Sequence, residues 1–256
     1  MQHLFSAEGE AAITELLRKP ALLAFDFDGT LTPIVARADD VQLDPAVAGR
    51  LCQLAALRPV AIVTGRSVSD LRPRLGFEPT YLMGSHGAED ESTPAATAAR
   101  VRQLDPGRQR LAEQAAALNA AGVTVEDKGV SLALHFRLAA DPARAQAAID
   151  TQLLGLPTGL RHFGGKRVCN LVPADAPDKA DALRALVARS GSRVALYAGD
   201  DVNDEPVFEQ APPDWLTIRI GQADTASKAR FRLDSPQQTA LLLDRLHTHL
   251  LQTGRT

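Results

Sequence analysis

The stretch LLAFDFDGTLT at residues 22–32 joins an apolar run to two carboxylates, Asp26 and Asp28, set one residue apart. A run that is apolar on both faces marks a strand buried inside a parallel sheet. A strand made only for burial would not end on acids, so the carboxyl end at 21–27 opens onto polar chemistry. Two further runs end in the same way. PVAIVTGR at 59–66 leads to Thr64 and Arg66, and the strand 194–198 leads to GDDVND at 199–204. Lys179 stands at the start of a helix between them. Ligands of parallel sheets gather where the strands end, which predicts that these segments meet.

Strand and helix signals alternate on either side of a different middle section. Ser6 caps a helix with Ala12, Ile13, Leu16 and Leu17 on one face, ended by Pro20, and Asp44-Pro45 opens another. A helix follows Ser67, and a short strand at 81–83 leads into GSHGAE. The polar linker ESTPAATAAR at 91–100 then interrupts the alternation. From about 100 to 173 the order reads αββαββ, an α+β module. The α/β pattern resumes with a helix from 178, a strand at 194–198, a short helix near 205, a strand at 217–220 and a last helix after Pro236. The expected fold class is α/β: a Rossmann-like parallel-sheet core, 1–90 and 174–256, with an inserted α+β cap domain at 91–173.

Composition narrows the function. With 256 residues, 45% hydrophobic and 23% charged, the chain has material for a core domain and an insert. A net charge of −3 argues against nucleic acid or an anionic membrane surface as partner. Two cysteines, Cys52 and Cys169, suggest neither a disulfide framework nor a four-ligand zinc site. The first 20 residues carry acids early and no continuous apolar stretch, unlike a secretion signal. A cytoplasmic protein is expected, with a monomer favoured.

Carboxylates from the first and later strands can hold one hard cation such as Mg²⁺, which prefers oxygen ligands. Thr64, Lys179 and the cation would then surround a phosphoryl group. An aspartate is a competent nucleophile toward phosphorus, forming an aspartyl-phosphate. One acid of the pair attacks and the other handles protons. Taken singly, each motif has a plainer reading: an Asx turn at DFDGT, a strand-ending turn at Thr64-Gly65, a solvated Lys179, an acid-rich helix start at GDDVNDE. All four in order, each at a strand end or helix start, point to one site. A calcium loop would need further spaced acids and a closing Glu that are absent, and a phospho-receiver domain needs no insert of this size.

This set resembles the haloacid dehalogenase-like phosphatase superfamily, whose pattern is DxDGT, then Ser/Thr, Lys and GDxxxD. The resemblance implies Asp26 as nucleophile and Mg²⁺ ligand, and Asp28 as general acid/base lending its backbone carbonyl to the metal. It further implies Thr64 and Lys179 on the phosphate, Asp200 completing the metal site, and Asp201 and Asp204 supporting it.

In the insert, residues 125–138 alternate, with Val130, Leu132, Leu134, Phe136 and Leu138 on one face and Ser131, Ala133, His135 and Arg137 on the other. FGGKRVCNLVP supplies a second such strand with Lys166 at its mouth. Lys128, Arg137 and Lys166 can give a surface for a polar, anionic substrate. GSHGAE, EDKGVSLALHFR, GGKRV, YAGDDVNDEPVF and RFRLDSPQQTALLLDRL narrow the resemblance to the trehalose-6-phosphate phosphatase family. That family implies Mg²⁺-dependent hydrolysis of trehalose 6-phosphate in trehalose biosynthesis, a small-molecule sugar-phosphate ligand, and Lys128, His135, Arg137 and Lys166 on the sugar side. It also implies Arg66 near the phosphate and His86 and Glu89 near the cap hinge, contributing to substrate binding. Where the family pattern reads GKxVxExRP, this chain carries Asn170 and Val172, and Ala180 replaces the glycine after the lysine. Asn170 is a substrate-binding candidate that can hydrogen-bond to sugar hydroxyls but cannot act as a charged acceptor. Another sugar-phosphate phosphatase and a phosphosugar mutase remain the alternatives.

Overall fold

The structure is a computed structural model that describes residues 1–35, 40–165, 167–222 and 226–253. It divides into two compact units, one formed by Met1–Gly87 and Asp178–Thr256, the other by Ala88–Pro177.

The first unit begins with β1 (Gln2–His3), α1 (Ala7–Leu17), β2 (Ala21–Phe25), α2 (Pro45–Ala55), β3 (Val60–Val63), α3 (Val68–Leu75) and β4 (Tyr81–Gly84). The second unit holds β5 (Glu89–Asp90), α4 (Pro94–Gln103), α5 (Asp105–Glu113), α6 (Ala115–Ala120), β6 (Thr124–Asp127), β7 (Leu132–His135), α7 (Pro142–Leu153), β8 (Leu160–Gly165) and β9 (Val168–Pro173). The chain then completes the first unit with α8 (Lys179–Arg189), β10 (Val194–Gly199), α9 (Glu205–Gln210), β11 (Leu216–Ile220), β12 (Phe231–Leu233) and α10 (Pro236–Thr253).

Capping residues start the helices where the sequence marks them. Ser6 accepts from the Gly9 N–H at 3.3 Å, Asp44 from Ala46 at 2.7 Å, and Ser67 from Asp70 at 3.2 Å. Asp178 and Asp181 close a capping box that sets Lys179 as the first residue of α8. In the first unit, seven strands lie in the order β1-β12-β11-β10-β2-β3-β4 and every neighbouring pair is parallel. From β2 the chain moves outward through β3 and β4, and from β10 it moves the other way through β11 and β12. The reversal lies between β2 and β10, the position at which doubly wound sheets take their ligands. Every residue of β2, β3 and β10 is buried, which is why these strands read as continuous apolar runs. Register levels their ends: Phe25 pairs with Ala198 on one side and with Ile62 on the other. The edge strand β1 and its neighbour β12 are too short to leave a periodic signal.

The second unit is an antiparallel sheet in the order β6-β7-β9-β8. Leu132, Leu134, Cys169 and Leu171 pack on Leu104, Leu111, Leu118 and Ile149 from its helices. Its first helix is three pieces rather than one. Pro106 at the start of α5 has no N–H to continue the α4 ladder, so the chain breaks at Leu104. The alternation over 125–138 also differs from the sequence reading. Residues 128–131 turn between β6 and β7, and β7 is an interior strand, so Ala133 on it and Ser131 just before it are buried as well. The strand ends at His135, a turn follows, and Leu138 is 95% exposed instead of joining the apolar face. Among the described residues no helix is long and apolar enough to cross a membrane.

These placements separate two leucines that the sequence puts on one face. Leu134→Ala is expected to lower stability by about 2–5 kcal/mol, and Leu138→Ala to change it by less than about 0.5 kcal/mol, as read by urea denaturation.

Candidate active site

The carboxyl ends of β2 and β10 and the start of α8 converge on one buried ammonium. Lys179 Nζ lies 2.7 Å from Asp204 Oδ1 and 3.1 Å from Asp26 Oδ2, and its side chain is only 2% exposed. Asp26 is anchored twice more: its N–H donates to the Ala198 carbonyl at 2.9 Å, and its Oδ1 accepts from the Phe27 N–H at 2.7 Å. Asp204 is fully buried and accepts from the Tyr197 hydroxyl at 2.6 Å and from the Asp201 N–H at 2.8 Å. Asp201 in turn accepts from the Asn203 amide at 3.3 Å.

Burial opposes the charge on Lys179, but the flanking Asp204 and Asp26 outweigh it and hold the ammonium above its ordinary range. Asp26 is shifted the other way from a paired acid. Burial pushes it well above the usual carboxylate range, Lys179 draws it down, and Asp204 and Asp200 push it up again. Burial and the neighbouring Asp204 also keep the Tyr197 phenol protonated.

Asp26, Asp200 and Asp204 each bring a carboxylate oxygen within 4.8 Å of the others. Three carboxylates against one ammonium leave an excess of negative charge where water is scarce, a situation that a divalent cation relieves. The donors are all hard oxygens, so the residues fit a cation of the magnesium and calcium class. Within the cluster Asp204 accepts three hydrogen bonds, from Lys179, Tyr197 and the Asp201 N–H. Gly29 makes the close approach possible: its φ is +75°, and a Cβ there would lie 2.3 Å from Asp200 Oδ2.

The second acid of the DxD pair goes elsewhere. Arg66 grips Asp28 through two bonds, Nε to Oδ2 at 2.7 Å and Nη2 to Oδ1 at 2.8 Å, and Nη1 reaches Asp70 at 2.7 Å. Burial works against the guanidinium charge, and the bonds from Asp28 and Asp70 more than offset it. Arg74 completes the chain with a 2.6 Å contact to Asp70, holding that carboxyl below its ordinary range against the opposing effect of burial. Thr64 is buried, and its hydroxyl accepts from the Arg66 N–H at 3.2 Å.

His86 sits beside this loop, with Ser85 and His86 both at positive φ, 50° and 59°. Two successive left-handed non-glycine residues cost about 1–2 kcal/mol each. Hydrogen bonds from Ser85 N–H to Arg66 O at 2.7 Å and from His86 N–H to Thr64 O at 2.8 Å hold them in place. Gly65 leaves the space for the imidazole: a Cβ there would lie 2.5 Å from its Cε1.

The remaining candidates belong to the second unit. Within it Glu126 gathers two of them, with Oε2 2.8 Å from His135 Nε2 and 3.7 Å from Lys128 Nζ. Arg137 is exposed just past β7, and Glu89 lies in β5. Asn170 on β9 is 2% exposed, in register with Ala133 and Phe163, and its Nδ2 has no hydrogen-bond partner among the described residues. Lys166 lies outside the described residues. Tyr197, Asp70 and Glu126 were missed in the sequence reading. Glu126 alone had a visible signal, since it stands two residues from Lys128 on an alternating segment.

Comparison with known proteins adds a family to this geometry. The chain is 33% identical over 250 residues to the trehalose-phosphate phosphatase of Mycobacterium marinum, a match covering 92% of this chain and 63% of that protein. The chain thus spans less than two thirds of that relative's length. Its fold is that of a crystallised trehalose-6-phosphate phosphatase related protein, with TM-score 0.71 at 22% identity over 91% of this chain and 99% of the other. The C-terminal domain of the C. albicans trehalose-6-phosphate phosphatase matches with TM-score 0.71 at 19% identity, covering 93% and 96%. The pattern of the trehalose-phosphatase family matches residues 24–237, nearly the whole length of the sequence. The chain belongs to the trehalose-phosphatase family.

Proposed function

We propose that this chain hydrolyses trehalose 6-phosphate to trehalose and inorganic phosphate, as part of trehalose biosynthesis, through an aspartyl-phosphate on Asp26. The observation that carries the reading is the buried contact of Asp26 and Asp204 with Lys179, beside Asp200. It supports a nucleophile held between a fixed cation and further acids, in a chain of the trehalose-phosphatase family. Asp26 attacks phosphorus and the bond to the sugar oxygen breaks, with a proton from Asp28 going to that oxygen. Water then attacks the aspartyl-phosphate while Asp28 takes its proton back, and phosphate leaves with Asp26 regenerated. Lys179 and Thr64 hold the phosphoryl oxygens, and Arg66 orients Asp28. Asp26, Asp200 and the Asp28 backbone carbonyl would hold Mg²⁺, which supplies charge neutralisation at the phosphoryl group. Asp201 and Asp204 support that set.

Lys128, His135, Arg137, Lys166 and Asn170 recognise the sugar, with His86 and Glu89 contributing from the segment that joins the two units. The enzyme works in the cytoplasm, a reducing compartment that suits free thiols at Cys52 and Cys169. One observation favours a second reading, a phosphatase for a different phosphorylated sugar. The buried Asn170 amide offers a donor where the family pattern carries an acid.

Asp26→Asn is expected to lose phosphate release by at least roughly 10⁴-fold while remaining folded, because the amide is a poor nucleophile. Near-normal release from that variant would remove the mechanism. Chelation should stop turnover, and Mg²⁺ should restore it better than Ca²⁺, whose looser coordination misplaces the reactants. Phosphate release from a panel of phosphorylated mono- and disaccharides tests the sugar. Trehalose 6-phosphate should rank first, and Asn170→Glu should reorder the panel. Lys128→Ala should cost ~10- to 1000-fold in kcat/KM on trehalose 6-phosphate and far less on a small aryl phosphate.

A further inference from the structure

Arg108, which no sequence motif singles out, ties two separate parts of the second unit together. Its Nη1 donates to the Val101 carbonyl at 2.6 Å and to Asp105 Oδ1 at 2.8 Å, tying it to the start of α5 and the end of α4. Its other nitrogens reach across to the β6–β7 turn. Nε donates to Asp127 Oδ2 at 2.7 Å, and Nη2 to Asp127 Oδ1 at 3.2 Å and to the Gly129 carbonyl at 2.5 Å. The two residues gripped are those immediately before and after Lys128.

The turn itself is short and closed. Asp127 Oδ1 accepts from the Gly129 N–H at 2.8 Å, Lys128 N–H donates to the Ser131 carbonyl at 2.9 Å, and Gly129 has φ +81°. Such a turn has its own local bonds, and Arg108 adds a link from it to α4 and α5 with a planar fork whose geometry a lysine cannot copy. The bond from Arg108 also holds the Asp127 carboxyl below its ordinary range, against the opposing effect of burial.

We infer that Arg108 is a positioning residue for substrate selection: it fixes the turn that carries Lys128, and through that turn the reach of the Lys128 ammonium toward a sugar phosphate. This rests on the reading above in which Lys128 meets the substrate. Both oxygens of Asp127 are engaged by the guanidinium, and the Lys128 ammonium lies 3.7 Å from Glu126 Oε2.

The test is steady-state kinetics of the full chain with its metal. The substrates are the sugar phosphate it turns over fastest in a panel and p-nitrophenyl phosphate, which has no sugar to be recognised. Arg108→Gln is expected to lower kcat/KM on the sugar phosphate about tenfold or more, mainly by raising KM, with p-nitrophenyl phosphate changed less than about twofold. Arg108→Lys should restore little. In the double variant with Lys128→Ala, loss of Arg108 should add almost nothing to the loss of Lys128 alone, because the arginine acts through the lysine. Equal losses on both substrates, an additive double variant, or an unchanged Arg108→Gln would each overturn the positioning role. If Lys128→Ala leaves the sugar phosphate unaffected, the reading of Lys128 as a substrate contact fails and the positioning role fails with it. If Lys128→Ala is impaired and Arg108→Gln is not, only the positioning role fails. Should Arg108→Gln not fold, Asp127→Asn weakens the same link from the other side, and the same pattern between substrates decides.

Discussion

A single buried ammonium sets the terms for the rest of the core. Lys179 can remain charged in a place nearly closed to water only while Asp26 and Asp204 stay against it. That requirement fixes three things at once: where α8 begins, how far β2 runs, and how tightly the loop after β10 folds back. The capping box at Asp178 and Asp181 meets the first, the shared level of Phe25 and Ala198 the second, and the Tyr197 and Asp201 bonds to Asp204 the third. A mismatch of one residue in any of them would leave a charge buried without its partner.

The two acids of the DxD pair illustrate how neighbours in sequence are given different work. In a continuing strand, residues two apart would share a face. Here the strand stops at Phe25 and the chain turns at Gly29, so Asp26 points to Lys179 while Asp28 meets Arg66. One carboxylate is enclosed by a cation and acids; the other is about 40% exposed and gripped by a guanidinium that is itself braced by Asp70. Surroundings this different give two aspartates two residues apart different charge environments and different access to solvent.

The core strands were legible because burial on both faces leaves continuous apolar runs, and their acid and threonine ends stand out against that background. Helix starts were legible because Ser6, Asp44, Ser67 and Asp178 cap locally, within three residues. Partnerships between distant segments were not. Nothing near Tyr197 in sequence indicates that its hydroxyl would find Asp204, although only seven residues separate them, because that meeting depends on the turn after β10. The family resemblance implied Arg66 near the phosphate, but no local pattern announced the bonds of its guanidinium to Asp28 and Asp70. In the second unit, Leu138 continued a pattern that the backbone had already left, since periodicity cannot register where hydrogen bonding to a neighbouring strand stops.

The order of segments along the chain has a consequence for biosynthesis. The acid at 26 and the acid at 200 belong to one cluster, yet 174 residues (200 − 26) separate them. A ribosome adding about 5–20 residues per second would release the β2 edge many seconds before β10 exists to pair with it. The second unit has all four of its sheet strands within one uninterrupted stretch, Ala88–Pro177, so its pairing partners emerge together. The half-made first unit must wait with β2 unpaired on the side that β10 will later fill. An exposed strand of that kind is a target for unwanted pairing until β10 arrives to cover it.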